Sequence, residues 1–235
     1  MPRNHNPLGT NLNTKTRQQI AQLALKYNVI IIEDDYFSHA FHTPHYLPIH
    51  YYMAGQNCIY LTSFSKTIPY LRIGICVIDP AFKPIFENLI HQSYYYSYQL
   101  PSLISQATLE AYLQNNLYEQ QMLKLERKLK NHFKVTQAIT SNWDPNIAKL
   151  IGGYAGYYCS IQVHFKLSLD LLEKELEKHH ILIARNERCF YNTDHFNHTI
   201  HLSITRCNSK KQLENALCLF YQILETLTTN YIHSI

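Results

Sequence analysis

A chain of 235 residues that is 46% hydrophobic and 16% charged has enough apolar material to bury a core, as one large domain or two modest ones, and is not a disordered chain. Its 21 Lys and Arg against 17 Asp and Glu leave a net charge of +4, but the basic residues are scattered, and nucleic-acid binding through this segment is not expected. The longest aliphatic run, Val29 to Ile32, falls far short of the roughly 20 residues a membrane-spanning helix needs. The opening MPRNHNPLGT lacks the apolar core of a signal peptide, which makes a cytoplasmic home the default.

That opening is polar and turn-forming. Asn13 or Thr14 can cap the helix that follows, in which Ile20, Leu23, Ala24 and Tyr27 form an apolar stripe at helical spacing. Val29 to Ile32 then reads as a strand buried on both faces, as in a parallel sheet, ending in Glu33, Asp34, Asp35 and Tyr36. Open α/β sheets bind their ligands outside the carboxyl ends of such strands. One task for an acid there is to pair with a pyridinium nitrogen; another is to cap a turn on a solvated rim.

The next segment carries His39, His42, His45 and His50 among Pro44 and Pro48 and reads as a loop, with no metal site expected. The apolar run Cys58 to Leu61 delivers Ser63, Ser65 and Lys66 at its end, and Arg72 opens a further apolar run to Ile78. A lysine between two core strands invites desolvation, which lowers an amine pKa and suits Schiff-base chemistry. Hydroxyls and a guanidinium beside it suit a phosphate. Taken alone, Lys66 and Arg72 also read as solvated loop charges.

Asp79-Pro80 starts a helix with Phe82, Ile85, Phe86, Leu89 and Ile90 on one side. YYYSY at Tyr94 to Tyr98 reads as a packed or interfacial segment. From Pro101 a long helical stretch runs to about Ile139 with a break near Asn115-Asn116, and KLERKLK at Lys124 to Lys130 is its wet face. Beyond Gly152-Gly153, alternation from Tyr157 to Val163 predicts a half-buried strand. Asp170 to Lys178 reads as a helix, Ile181 to Ala184 and Ile200 to Ile204 as strands, and Ser209 opens a closing helix with Leu213, Leu217, Phe220 and Leu224 inward. The six cysteines lie mostly in such apolar patterns and form no C-x-x-C pair, so buried reduced thiols are expected.

Together, N-P-L-G at Asn6 to Gly9, E-D-D-Y at Glu33 to Tyr36, S-F-S-K at Ser63 to Lys66 and L-R-I-G at Leu71 to Gly74 resemble class I pyridoxal-phosphate aminotransferases. E-D-D-Y looks most like the aminotransferase-like domain of MocR-type regulators of the GntR family. The resemblance implies an α/β fold: the carboxyl-terminal part of a large domain with a mostly parallel sheet over 1–98, an interdomain helical segment over 99–140 and a smaller α+β domain over 141–235. It implies pyridoxal 5'-phosphate as cofactor, with Lys66 forming the Schiff base, Ser63, Ser65 and Arg72 holding the phosphate, Asp34 on the ring nitrogen and Asn6 and Tyr36 on the phenolic oxygen. Asp35 remains an alternative to Asp34.

In that family a long segment precedes N-P-x-G, so the chain resembles an N-terminally truncated member. Its lysine-to-arginine turn has Tyr70 where glycine is common, and His201 stands where an arginine holds the substrate carboxylate, with Arg206 five residues on. The activity implied is amino-group transfer between an amino acid and a 2-oxo acid. The alternatives are an amine-sensing domain of a MocR-type regulator or an inactive remnant. A homodimer is the implied assembly, and a half-built sheet would leave apolar faces uncovered.

Overall fold

A computed structural model of the chain describes residues 1–36, 46–68, 70–93, 100–153, 157–163, 167–191 and 198–233. Three of the loop histidines (His39, His42, His45) and the segment Tyr94 to Tyr98 lie outside the described residues. The chain divides into two compact units, residues 1–3 with 11–126 and residues 4–10 with 127–235.

In the first unit, α1 (Thr14–Lys26) starts at Asn13, whose side chain accepts from the Thr16 amide, the usual satisfaction of an orphan N–H at a helix start. Its buried face is Arg17, Ala21 and Ala24, while Leu23 and Tyr27 are more than half exposed. The stripe expected from the sequence is therefore rotated. Arg17 reaches the Leu12 carbonyl and the Thr14 hydroxyl, and this polar anchor turns the small residues inward.

Strands β1 (Ile31–Asp34), β2 (Cys58–Ser63) and β3 (Gly74–Ile78) form a sheet in that order. β1 and β2 are parallel, with Ile31 opposite Cys58 and Asp34 opposite Leu61. β2 and β3 are antiparallel, from Ile59 opposite Ile78 to Ser63 opposite Gly74. The expected parallel pairing thus holds for the first ladder and not the second, because a turn of residues 64–73 is too short for the crossover that parallel strands need. The strand read as buried on both faces is also open on one: Ile32 is 65% exposed, while Glu33 and Asp35 on the other face are buried.

A short helix, α2 (Ile49–Tyr52), lies between β1 and β2 in the chain. The Asp79 carboxylate accepts from the Asn57 and Ala81 amides, and α3 (Lys83–Gln92) follows through a turn at Pro80–Phe82. No residue of α3 is buried, so the apolar side expected there faces outward. Ser102 caps α4 (Leu103–Gln114), and a left-handed Asn116 separates it from α5 (Leu117–Thr140), at the break the asparagines predict.

The second unit is a four-stranded antiparallel sheet in the order β4 (Ala148–Ile151), β5 (Cys159–Val163), β7 (Thr199–Leu202), β6 (Ala184–Arg185). The β6 edge is shorter than expected: Ile181 to Ile183 lead into β6 without joining it. Helices α6 (Leu169–Lys178) and α7 (Lys210–His233) supply Leu172, Leu176, Leu213, Leu217, Phe220 and Leu224 to one continuous core with Ile161, Ile200 and Trp143. Cys58 and Cys159 are buried free thiols, as expected, but Cys76, Cys189 and Cys218 are exposed. Among the described residues no helix is long and apolar enough to cross a membrane, and no group of three or more His, Cys, Asp or Glu is placed to hold a metal ion.

Candidate functional site

The turn after β2 is built on alternation. Phe64, Ile68, Leu71 and Ile73 point into a buried cluster backed by Leu109, Tyr112 and Tyr118, which leaves Lys66, Tyr70 and Arg72 outward and Ser65 half-buried. Backbone bonds close it: the amides of Thr67 and Ile68 donate to the Phe64 carbonyl, and Phe64 donates to Ile73. Two non-glycine residues occupy the left-handed region, Tyr70 at φ 74 and Arg72 at φ 53, a cost on the order of 1–3 kcal/mol each that is typically retained at functional sites. The first explains why glycine suits position 70: it adopts such a φ without strain.

Tyr36, Ser63, Ser65, Lys66, Arg72 and Gly74 line one cavity of about 420 Å³. Its polar groups are an ammonium, a guanidinium, a phenol and two hydroxyls, with no carboxylate among them, which is the donor set of an anion site. Lys66 Nζ lies 5.1 Å from the centre of the Tyr36 ring, within cation–π range. The Ser63 hydroxyl donates to the Ile73 carbonyl and accepts from the Ser65 amide, so it shapes the turn. Tyr36, Ser65, Lys66 and Arg72 are the other polar side chains on the cavity wall. Lys66 is exposed, in contrast to the burial between strands that the sequence suggested, because it rides the outer side of the turn. A phosphate-bearing aldehyde fits this set: cations and a hydroxyl for the phosphate, an amine for the carbonyl.

The carboxylates at the end of β1 divide by the two-residue period of a strand. Glu33 is 1% exposed and accepts from the Ile49 and His50 amides at the start of α2. Burial pushes its carboxyl above the ordinary value, and those two bonds pull it back. Asp35, fully buried, takes a bidentate grip from Arg3 at 2.9 and 2.6 Å and a third bond from the Tyr60 hydroxyl. Asp34 lies between them in sequence, is half-buried, and makes no ion pair among the described residues. It ends β1 two residues before Tyr36, which reaches the cavity; Asp34 itself is not part of the cavity wall.

Sequence reasoning missed this supporting layer. Arg3 sits in a polar stretch with no periodicity, and its guanidinium and that of Arg17 also flank the Tyr46 ring at 4.4 and 3.8 Å. The signal available was a paired one, an arginine in the opening loop and two acids more at the end of β1 than a ring nitrogen requires.

Asn6 belongs to the segment 4–10 of the second unit. That segment is held by its backbone: the Tyr158 hydroxyl donates to the Asn4 carbonyl, the Ser160 hydroxyl to Pro7, and the Gly153 amide to Gly9. A Cβ on Gly9, at φ 68, would come within 2.6 Å of the Gly153 nitrogen, so the approach requires glycine. His201 Nδ1 lies 3.2 Å from the Pro7 carbonyl, which can only accept, so Nδ1 carries the proton. Burial lowers the His201 pKa, and the bond to Pro7 opposes that. Its ring packs 4.6 Å from Tyr158. His201 is thus engaged with the Asn-Pro turn, and Arg206 is exposed at the end of a short 3₁₀ turn, Ile204–Arg206.

This architecture is an aminotransferase fold. Crystal structures of a multiple substrate aminotransferase from Thermococcus profundus (TM-score 0.82, 17% identity, covering 97% of this chain and 56% of that one) and of α-aminoadipate aminotransferase LysN from Thermus thermophilus (0.81, 16%, 97% and 58%) share it. The sequence pattern of aminotransferase class I and II matches residues 4–217, and the chain belongs to that family. Among curated relatives, the uncharacterized HTH-type transcriptional regulator YcxD of Bacillus subtilis is 31% identical over 199 residues, covering 80% of this chain. The HTH-type transcriptional regulator NorG of Staphylococcus aureus is 32% identical over 186 residues, covering 77%. The chain spans 43% and 41% of the length of these two relatives.

Proposed function

We propose that the chain binds pyridoxal 5'-phosphate at Lys66 and through it engages an amino acid or amine, in the manner of an aminotransferase passing an amino group to a 2-oxo acid. The observation that carries this is the convergence of Lys66, Arg72, Ser65 and Tyr36 on one anion-type cavity at the end of β2. Family membership supports it, as does LysN, whose structure holds N-(5'-phosphopyridoxyl)-L-leucine. When bound, the cofactor supplies an aldehyde for amines and an electron-accepting ring. Arg72 and Ser65 hold the phosphate, and Lys66 offers the amine and afterwards carries a proton. Asp34 is assigned to the ring nitrogen because Asp35 is spent on Arg3 and Tyr60. Tyr36 is assigned to the phenolic oxygen.

A second reading is favoured by His201. Bound to the Pro7 carbonyl, it offers no bidentate fork for a substrate carboxylate, and the relatives are named as regulators. An amine-sensing domain of a MocR-type regulator, binding without net turnover, fits that difference. A cytoplasmic homodimer is the setting proposed for either reading.

Titration with pyridoxal phosphate, followed by absorbance, tests the site. A band present in the wild type and absent in Lys66→Ala is expected; its absence from the wild type would defeat both readings. Asp34→Asn is expected to shift the band, whereas Asp35→Asn mainly lowers the melting temperature. Oxo acid released on adding amino acids identifies an enzyme, and a spectral shift without product identifies a sensor.

A further inference from the structure

The second unit contains a cavity of about 290 Å³ formed by His180 to Leu182 after α6, by β7 and the turn after it, and by the first turns of α7. Its floor is apolar and dense: Leu202, Ile204, Leu217 and Phe220 are each at most 8% exposed. Ala216 sits on the α7 wall, and Arg206 and Cys207 stand on the segment between β7 and α7. Among the described residues no Asp or Glu lines the cavity. Arg206 is exposed and has no ion-pair partner among the described residues. Nearby, Lys128 Nζ reaches the Thr205 carbonyl at 3.4 Å, and its charge bears on the Cys207 thiol, opposing the upward push of burial.

An apolar floor under a positive, acid-free mouth selects among ligand classes. A sugar phosphate would find further polar side chains only at His180, Ser203 and Gln212, its remaining hydroxyls lying against leucine and phenylalanine, where each unpaired polar group is penalised. An amine would meet a like charge at Arg206. A neutral apolar molecule would leave Arg206 unused. A carboxylate with an apolar tail satisfies both ends, with a charge-assisted bond at the guanidinium and desolvation of the tail. Since an apolar cavity of about 150 Å³ accepts benzene, this one has room for a ring and a short chain.

We propose that this cavity binds a small apolar monocarboxylate, its carboxylate on Arg206 and its tail over Leu202, Leu217 and Phe220. The site is independent of the cofactor reading, and its ligand acts on the unit that holds the Asn-Pro turn.

Calorimetric titration of the purified chain with 4-phenylbutyrate, 4-phenylbutan-1-ol and 4-phenylbutylamine tests it, because the three probes share a tail and differ in charge. The acid is expected to bind about tenfold more tightly than the alcohol, and the amine to show no heat. Arg206→Gln, a change at an exposed residue, is expected to erase the acid's advantage while the alcohol binds as before. Ala216→Met fills the cavity and abolishes binding of both, with circular dichroism reporting that the fold persists. The acid is also expected to slow thiol labelling of Cys207. Equal binding of acid and alcohol by the wild type, no binding of any probe, or an acid preference that survives Arg206→Gln would each overturn the proposal.

Discussion

The two units solve the same problem with different materials. The second buries a continuous apolar core, running from Trp143 and Ile161 through Leu172 to Phe220 and Leu224, between a four-stranded antiparallel sheet and helices α6 and α7, with Val135 and Ile139 of α5 packed against it. The first has two small clusters, one around Ala21, Ile49 and Met53 and one around Phe64 and Leu71, while Ile30, Ile32, Ile75 and Val77 stay at least 40% exposed. What orders the end of β1 beside its candidate site is polar: the Arg3–Asp35 pair, Tyr60 on the same carboxylate, and Glu33 on the start of α2. A buried ion pair adds little net stability over apolar packing but is costly to break. The lesson is that in the site-bearing unit a few directional bonds at the end of β1 share the work of placement with a small apolar cluster under the lysine turn, and in the other unit bulk packing does most of it.

That contrast is open to direct attack, starting where the effect is largest. Leu172→Ala removes a fully buried side chain from the second core and is expected to cost about 3 kcal/mol. Trp143, the sole tryptophan, stacks 5.1 Å from Tyr221 within that unit, so its fluorescence in urea reports the second unit separately from whole-chain circular dichroism. A fall in the fluorescence midpoint with a smaller fall in the dichroism midpoint is expected. Coincident shifts would show one cooperative structure and dissolve the contrast.

A smaller effect concerns pH. Burial holds the His201 pKa below its ordinary value of 6.5, so the unfolded chain takes up the proton first as pH falls. The stability this group contributes is complete above that value and is lost as pH drops through the lowered one. His201→Gln keeps a donor for the Pro7 carbonyl but does not titrate. From about pH 8 to about pH 5 the wild type is therefore expected to lose more melting temperature than the variant. Parallel slopes would mean that His201 is not the acid-sensitive contact of the second unit.

Much of this was legible in the sequence where one local signal coincided with one physical cause. Asp79, Ser102 and the Asn115-Asn116 break mark helix limits because capping is local. Alternation found β5 and β7 because their inner face meets a complete core. In the first unit the same reasoning overreached: it buried Leu23, Tyr27 and Ile32, since periodicity says which residues share a face but not whether anything covers it. At the site, Tyr36, Ser63, Ser65, Lys66 and Arg72 were readable from motif spacing, and they share one cavity. The partners of Asp35 were not, because a pairing across 32 residues leaves no trace in a window. The strained φ of Tyr70 and Arg72 is a property of turn closure, equally invisible to composition.

Ile32→Thr is expected to have the smallest effect and probes the open side of β1 most sharply. Strand period places Ile32 on the face opposite Glu33, and threonine keeps the β-branching that suits a strand, so the exchange isolates the worth of apolar contact there. With Ile32 65% exposed, the change is expected to stay within about 0.5 kcal/mol and to be the same at dilute and concentrated protein. Burying such a side chain fully is worth about 1.5–3 kcal/mol, and burial by a second copy makes stability depend on protein concentration. A loss of that size appearing only in concentrated samples would therefore show that assembly covers this face, and the exposed side of β1 in the single chain would be half of an interface instead of an open face.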